Sequence, residues 1–130
     1  MASVKIIECP RDAMQGMKNF VPTALKVEYL NALLKVGFDT LDCGSFVSEK
    51  SIPQMADTKI IIPQLKLQDT STKLSVIVGN ARGAEIAGEL DEITYVGYPF
   101  SISETFQQRG ISIVALKQSL QREVNRIFVD

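Results

Sequence analysis

Histidine is absent from all 130 residues. Its absence removes the usual general base near neutral pH and the commonest protein ligand for metals. It also removes every histidine-dependent serine or cysteine triad. Cysteine is scarce: Cys9 and Cys43 are too few for a disulfide framework. Both fall in predicted strands, where small buried thiols are the expectation. Neither charge sign dominates, 14 Lys and Arg standing against 15 Asp and Glu, with no basic run or stripe. Nucleic acid and anionic membrane surfaces are therefore not expected as partners. No apolar run is long enough to span a bilayer. The first residues, Met-Ala-Ser-Val-Lys, lack a signal-peptide pattern, so a cytoplasmic location is expected. No glycine-rich phosphate fingerprint follows the first strand-like run, which weakens a nucleotide-binding reading.

What is present is an alternation of strand and helix patterns over a length suited to one domain, 1–130. Residues 3–9 form an apolar, β-branched run that reads as a buried strand, ended by Pro10. Arg11 and Asp12 then stand side by side where that strand opens into a loop. A helix is expected over 23–36, with Val27, Leu30, Leu33 and Leu34 at helical spacing, Thr23 as N-cap and Gly37 as its end. A second strand is expected over 40–46. A helical stretch over 55–65 should be short or kinked, because Pro63 removes a backbone donor and crowds the preceding turn. Residues 68–73 read as a loop and 74–79 as a third strand. The helix expected over 81–90 is weakened by Gly83 and Gly88, by about 1 kcal/mol each relative to alanine. A fourth strand over 93–98 is closed by Pro99. A last helix over 112–127 carries one apolar stripe, Ile113, Leu116, Leu120, Val124 and Ile127.

Alternating strands and helices imply an α/β fold with parallel pairing and right-handed crossovers. Four such units fit either a small open doubly wound sheet or the first half of a TIM (βα)8 barrel. In both, ligands bind at the carboxyl ends of strands. The polar residues expected there are Arg11, Asp12 and Gln15, then Asp42 and Ser45, then Asn80 and Arg82, then Ser101, Ser103 and Glu104. An arginine beside carboxylates suits an anionic substrate held over a divalent metal acting as a Lewis acid. The competing reading of Arg11 and Asp12 is a local ion pair or loop anchor, and of Asn80 a turn or helix-cap residue.

Several segments together resemble the amino-terminal half of the hydroxymethylglutaryl-CoA lyases. They are Val-Lys-Ile-Ile-Glu-Cys-Pro-Arg-Asp-Ala-Met-Gln (4–15), Val21-Pro22-Thr23 with Lys26, and Gly-Ser-Phe-Val-Ser-Glu-Lys-Ser-Ile-Pro-Gln-Met-Ala-Asp (44–57). Asn80-Ala81-Arg82-Gly83 and Ser101-Ile102-Ser103-Glu104-Thr105-Phe106 continue the likeness, which fades after Arg109. The 44–57 segment favours this family over isopropylmalate synthases, homocitrate synthases and pyruvate carboxylase. It also argues against an unrelated open-sheet binding domain.

The resemblance implies a (βα)8 barrel that cleaves 3-hydroxy-3-methylglutaryl-CoA to acetyl-CoA and acetoacetate with Mg2+ or Mn2+. It implies a metal-ligand role for Asp12 and a catalytic role for Arg11, which would stabilise the enolate oxygen of the thioester. Asp42 stands near the substrate where the family usually has glutamate, and is the second catalytic candidate. Gln15 and Ser45 are the substrate-binding candidates. The family's two metal-binding histidines and its later catalytic cysteine have no counterpart in these 130 residues. The chain is therefore expected to be a truncated, inactive half with weak or absent metal binding and an acyl-CoA ligand by resemblance. The alternative is a non-catalytic interaction protein. A half-barrel leaves two sheet edges and an inner face uncovered, so a homodimer or a chain carrying the second half is the expected partner.

Overall fold

The computed structural model describes residues 3–99. Four parallel strands form one sheet: β1 (Ile7–Glu8), β2 (Thr40–Phe46), β3 (Lys73–Val78) and β4 (Ile93–Gly97). Their spatial order is the chain order, β1-β2-β3-β4. This order decides between the two architectures. A doubly wound sheet reverses direction and places β1 inside, creating a switch point. Here each strand is laid beside its predecessor in one direction, as in the first half of a (βα)8 barrel. The helices are α1 (Pro10–Gln15), α2 (Thr23–Leu34), α3 (Thr58–Ile61) and α4 (Ala81–Gly88), with 3₁₀ turns at Pro53–Met55 and Ile62–Gln64. No described helix is long and apolar enough to cross a membrane.

The two faces of the sheet differ as the alternation of β3 dictates. Leu74, Val76 and Val78 are buried against Leu30, Leu34, Ile61, Ile62, Ala84 and Ala87, which makes the helix-side core. Lys73, Ser75 and Ile77 point to the other face, and the register sets Asp42, Ser75 and Tyr95 side by side there. The helices meet the core side closely. A Cβ on Gly83 would lie 2.5 Å from the Phe46 carbonyl oxygen, so only glycine lets α4 approach the end of β2.

Several expectations are corrected. The strand expected over 3–9 is paired only at Ile7–Glu8, with Val4 90% and Ile6 61% exposed. β-branched composition reports fitness for a pleated, packed surface, but β1 is an edge and nothing among the described residues covers those side chains. Cys9 consequently lies past the strand and is exposed, whereas Cys43 is buried in β2 as expected. Pro10 does not open a loop but occupies the first turn of α1, where its missing N–H costs nothing. Thr23 is the first helical residue rather than the cap, and its hydroxyl serves Asp57 instead. α2 ends at Leu34, two residues before the expected limit, and Gly37 follows with φ +89°. Pro63 breaks the 55–65 stretch into pieces, as its chemistry requires. α4 stops at Gly88, and Asn80 caps it by accepting the Gly83 N–H at 2.8 Å. The helix expected over 112–127, and Ser101, Ser103 and Glu104, lie outside the described residues.

The connection between α1 and α2 is held by a buried polar cluster. The Lys26 side chain is only 1% exposed. Its Nζ pairs with Asp57 Oδ1 at 2.8 Å, donates to the Gln54 carbonyl, and lies 4.0 Å from the centre of the Phe20 ring. Asp57 Oδ2 accepts the Thr23 hydroxyl at 2.8 Å. Gln54 accepts the Val21 N–H at 2.8 Å and donates to the Asn19 and Met17 carbonyls at 2.9 and 3.4 Å. Thr58 continues the stitching, donating to the Met55 carbonyl and accepting the Ser45 N–H at 3.1 Å. A buried charge left without its partner is costly, whereas an apolar pair of similar volume is tolerated. Replacement of Asp57 by alanine should therefore lower unfolding free energy by about 3–5 kcal/mol. The double change Lys26→Met with Asp57→Leu should cost much less. Urea titrations of the variants check this, and equal losses in both would contradict it.

Candidate active site at the ends of the first two strands

α1 begins immediately after β1, with the Cys9 carbonyl accepting the Asp12 and Ala13 N–H groups at 3.1 and 3.3 Å. That tight junction carries Arg11 across to β2. Arg11 Nε lies 3.2 and 3.1 Å from the two Asp42 carboxylate oxygens, and Nη2 donates to Asp42 Oδ2 at 2.7 Å. Nη1 donates to Gln15 Oε1 at 2.9 Å, one helical turn along, and reaches Asp12 Oδ1 at 3.4 Å. The side chains of Arg11 and Asp42 are 14% and 9% exposed, whereas Asp12 is 71% exposed. The hydrogen bond with Asp42 raises the Arg11 pKa, so the guanidinium is a fixed cation.

The structure thus brings Arg11, Asp12, Gln15 and Asp42 together. It gives Asp42 a definite part: the carboxylate anchors the arginine from a neighbouring strand. The ladder between β2 and β3 shifts register between Asp42 and Gly44. Such irregularities re-aim side chains at strand ends. Ser45 falls elsewhere. Its hydroxyl accepts the Val47 N–H at 3.2 Å, and it lines a separate cleft of about 500 Å³ with Phe46, Lys59, Asn80 and Arg82. The described strand-end residues therefore form two groups rather than one.

Three features were not anticipated. Lys73 Nζ donates to the Tyr95 hydroxyl at 3.3 Å. The strict alternation of Lys73, Ser75 and Ile77 with Leu74, Val76 and Val78 was the available signal. The Gln54, Asp57 and Thr58 contacts give the 44–57 segment a structural task, and no spacing rule pairs those residues with Lys26. Finally, Asp42 and Arg11 are 31 positions apart, so only the sheet register unites them.

The cluster offers few oxygen donors to a divalent ion. Both Asp42 oxygens are engaged by Arg11, and Asp12 is a lone exposed carboxylate. Among the described residues no group of three His, Cys, Asp or Glu side chains could hold a metal. This donor set does not fit a protein-held Mg2+ or Mn2+, which demands near-octahedral oxygen ligation.

Fold and site together define a four-unit part of a (βα)8 barrel with an arginine–carboxylate cluster at the carboxyl ends of its strands. No family model matches the chain. It is 34% identical over 122 residues to the cytoplasmic 3-hydroxy-3-methylglutaryl-CoA lyase of Danio rerio, and 35% identical to the mitochondrial hydroxymethylglutaryl-CoA lyase of Arabidopsis thaliana. The match takes in 92% of this chain, but 35% and 25% of those proteins. The HMG-CoA lyase of Brucella melitensis superposes with a TM-score of 0.73 at 31% identity, over 95% of this chain and 43% of that one. An Acinetobacter baumannii HMG-CoA lyase, solved with coenzyme A and 3-methylmalate, shares the fold with a TM-score of 0.83 at 23% identity. The chain is thus similar, over nearly all its length, to the amino-terminal part of hydroxymethylglutaryl-CoA lyases, and spans less than half the length of these relatives.

The two thiols give a check on this geometry. Burial, followed by the Asp42 charge, pushes the Cys43 pKa up to about 12. The packing beside Cys9 and the Asp42 charge raise its pKa above the usual 9.0, while Arg11 lowers it. Native protein should therefore take up one equivalent of iodoacetamide, at Cys9, with Cys43 reacting only after unfolding. Arg11→Gln should move the midpoint of the Cys9 pH–rate profile to higher pH. An unchanged or lower midpoint would place Arg11 away from the thiol.

Proposed function

We propose that this chain carries the oxygen-binding half of a hydroxymethylglutaryl-CoA lyase-type site, binding an acyl-CoA ligand without cleaving it. The observation that carries this reading is Arg11, held over the strand ends by Asp42 and Gln15. A guanidinium has five N–H donors. One Nη2 hydrogen has no partner among the described residues and can meet an incoming carbonyl or enolate oxygen. Because Asp42 fixes the fork in advance, the cation needs little reorganisation when negative charge develops on that oxygen. Asp42 and Gln15 are positioning residues in this reading, and Ser45 contributes through the neighbouring cleft.

Cleavage needs more than charge stabilisation. The tertiary hydroxyl must lose a proton as the carbon–carbon bond breaks, and no histidine in the 130 residues can accept it. Weak divalent-metal binding follows from a single exposed carboxylate. The chain is read as one domain, a counterpart of the first half of a barrel, in the cytoplasm. A second copy or a chain with the second half is the partner this reading expects. A purely non-catalytic interaction role is the alternative reading, favoured by the uncovered β1 edge.

The test is calorimetric titration with 3-hydroxy-3-methylglutaryl-CoA, paired with an acetoacetate assay in Mg2+. Binding without acetoacetate is expected, and Arg11→Gln should weaken binding at least tenfold, about 1.4 kcal/mol. Binding that is absent, or indifferent to Arg11→Gln, would remove the ligand reading. Acetoacetate above a metal-free control would overturn the claim of inactivity.

A further inference from the structure

The Pro53-Gln54-Met55-Ala56-Asp57 segment is distinctive in the sequence, yet Arg11 takes none of its hydrogen bonds from it. α1 nevertheless packs against the Pro53–Met55 turn. Within that turn Gln54 is 4% exposed, and both polar ends of its side chain are engaged. Oε1 accepts the Val21 N–H at 2.8 Å, while Nε2 donates to the Asn19 and Met17 carbonyls at 2.9 and 3.4 Å. An amide accepts and donates at once, whereas a carboxylate of the same length only accepts. One glutamine can therefore hold three backbone groups of residues 17–21, and a glutamate could hold one.

Few steps separate this clamp from the arginine. The Met17 N–H donates to the Met14 carbonyl at 3.0 Å, which closes the end of α1. Met14 is buried, and its neighbour Gln15 accepts Arg11 Nη1 at 2.9 Å. α1 has six residues, too few to hold its own last turn. Asp42 grips the Nε–Nη2 edge of the guanidinium, and two contacts along one edge leave a rigid plane free to hinge about it. Gln15, at Nη1, is the contact that stops the hinge.

We propose that Gln54 is a positioning residue for Arg11. By fixing the backbone of residues 17–21 it fixes the end of α1, and through Gln15 it sets the plane of the guanidinium and the direction of its free Nη2 hydrogen. The accessibility of the clamped groups separates this from a packing role. Met17 and Asn19 are exposed, so water can satisfy their carbonyls in place of Gln54. A buried amide used on groups that water can reach contributes placement more than hydrogen-bond satisfaction. The placement stands without the acyl-CoA reading, and only its effect on affinity rests on that reading.

Nitrogen-15 NMR of the full chain tests it through rotation about the Arg11 Cζ–Nη1 bond, with no ligand present. Loss of the signals in Arg11→Gln identifies them, and Gln15→Leu shows the rotation rate without the Nη1 contact. Gln54→Met keeps the side-chain length and removes all three hydrogen bonds, and Gln54→Glu keeps only the one to Val21. Both should retain the native far-UV circular dichroism and rotate about threefold faster or more, toward the Gln15→Leu rate. Thr72→Val removes a hydrogen bond to the Phe38 carbonyl before β3 and should lower stability without changing the rotation. Rotation unchanged in both Gln54 variants, or raised as much by Thr72→Val, would overturn the proposal. In titrations with 3-hydroxy-3-methylglutaryl-CoA, Gln54→Met should bind about threefold weaker or more. Faster rotation with unchanged affinity would uphold the placement and count against the ligand reading alone.

Discussion

The ion pair between Lys26 and Asp57 is the constraint on which the rest of the described structure depends. Two charges are taken out of water, at a desolvation cost that their attraction alone does not reliably offset. The cluster supplies the difference through the Gln54 carbonyl, the Thr23 hydroxyl and the Phe20 ring. In return, residues 17–21, which have no regular structure of their own, are tied through Gln54 to the segment that follows β2. α1 is thereby fixed at both ends, by the Cys9 carbonyl at one and the stitched connection at the other. A six-residue helix has little stability of its own, so the placement of Arg11 rests on contacts made elsewhere.

Arg11 and Asp42 follow the same logic at smaller scale. The pair is part-buried, and each partner comes from a different βα unit. The carboxylate is consumed in orienting the cation, which leaves the site with a fixed positive charge and one carboxylate, Asp12, facing water. Among the described residues the cluster is poor in groups that exchange protons near neutral pH.

Much of this was legible in the sequence, for reasons that differ by element. β2 is bounded as expected because its run lies between turn residues and is buried on both faces. The break at Pro63 and the cap at Asn80 follow from single-residue chemistry. β1 misled because its composition matches a packed strand, while packing is a property of neighbours that the described chain does not supply. Pro10 misled for the opposite reason, since proline ends strands and starts helices with equal ease. Arg11 and Asp42 were candidates for one site, but their direct contact and the separation of Ser45 from it were not readable. Both depend on which face of β2 each residue takes after the shift near Gly44.

That dependence has a consequence for how the molecule forms. In a parallel ladder, a slip of one residue sends every side chain to the opposite face. If β2 settled one position out of step with β1, Asp42 would turn into the apolar layer and Arg11 would lose its anchor. A misaligned chain would thus carry a buried, unmatched carboxylate among Leu30, Leu74 and Val76. The arginine–carboxylate bridge is therefore made only when the strands are aligned as they are here. The same contact that fixes the guanidinium at the sheet's mouth raises the free energy of the shifted ladder.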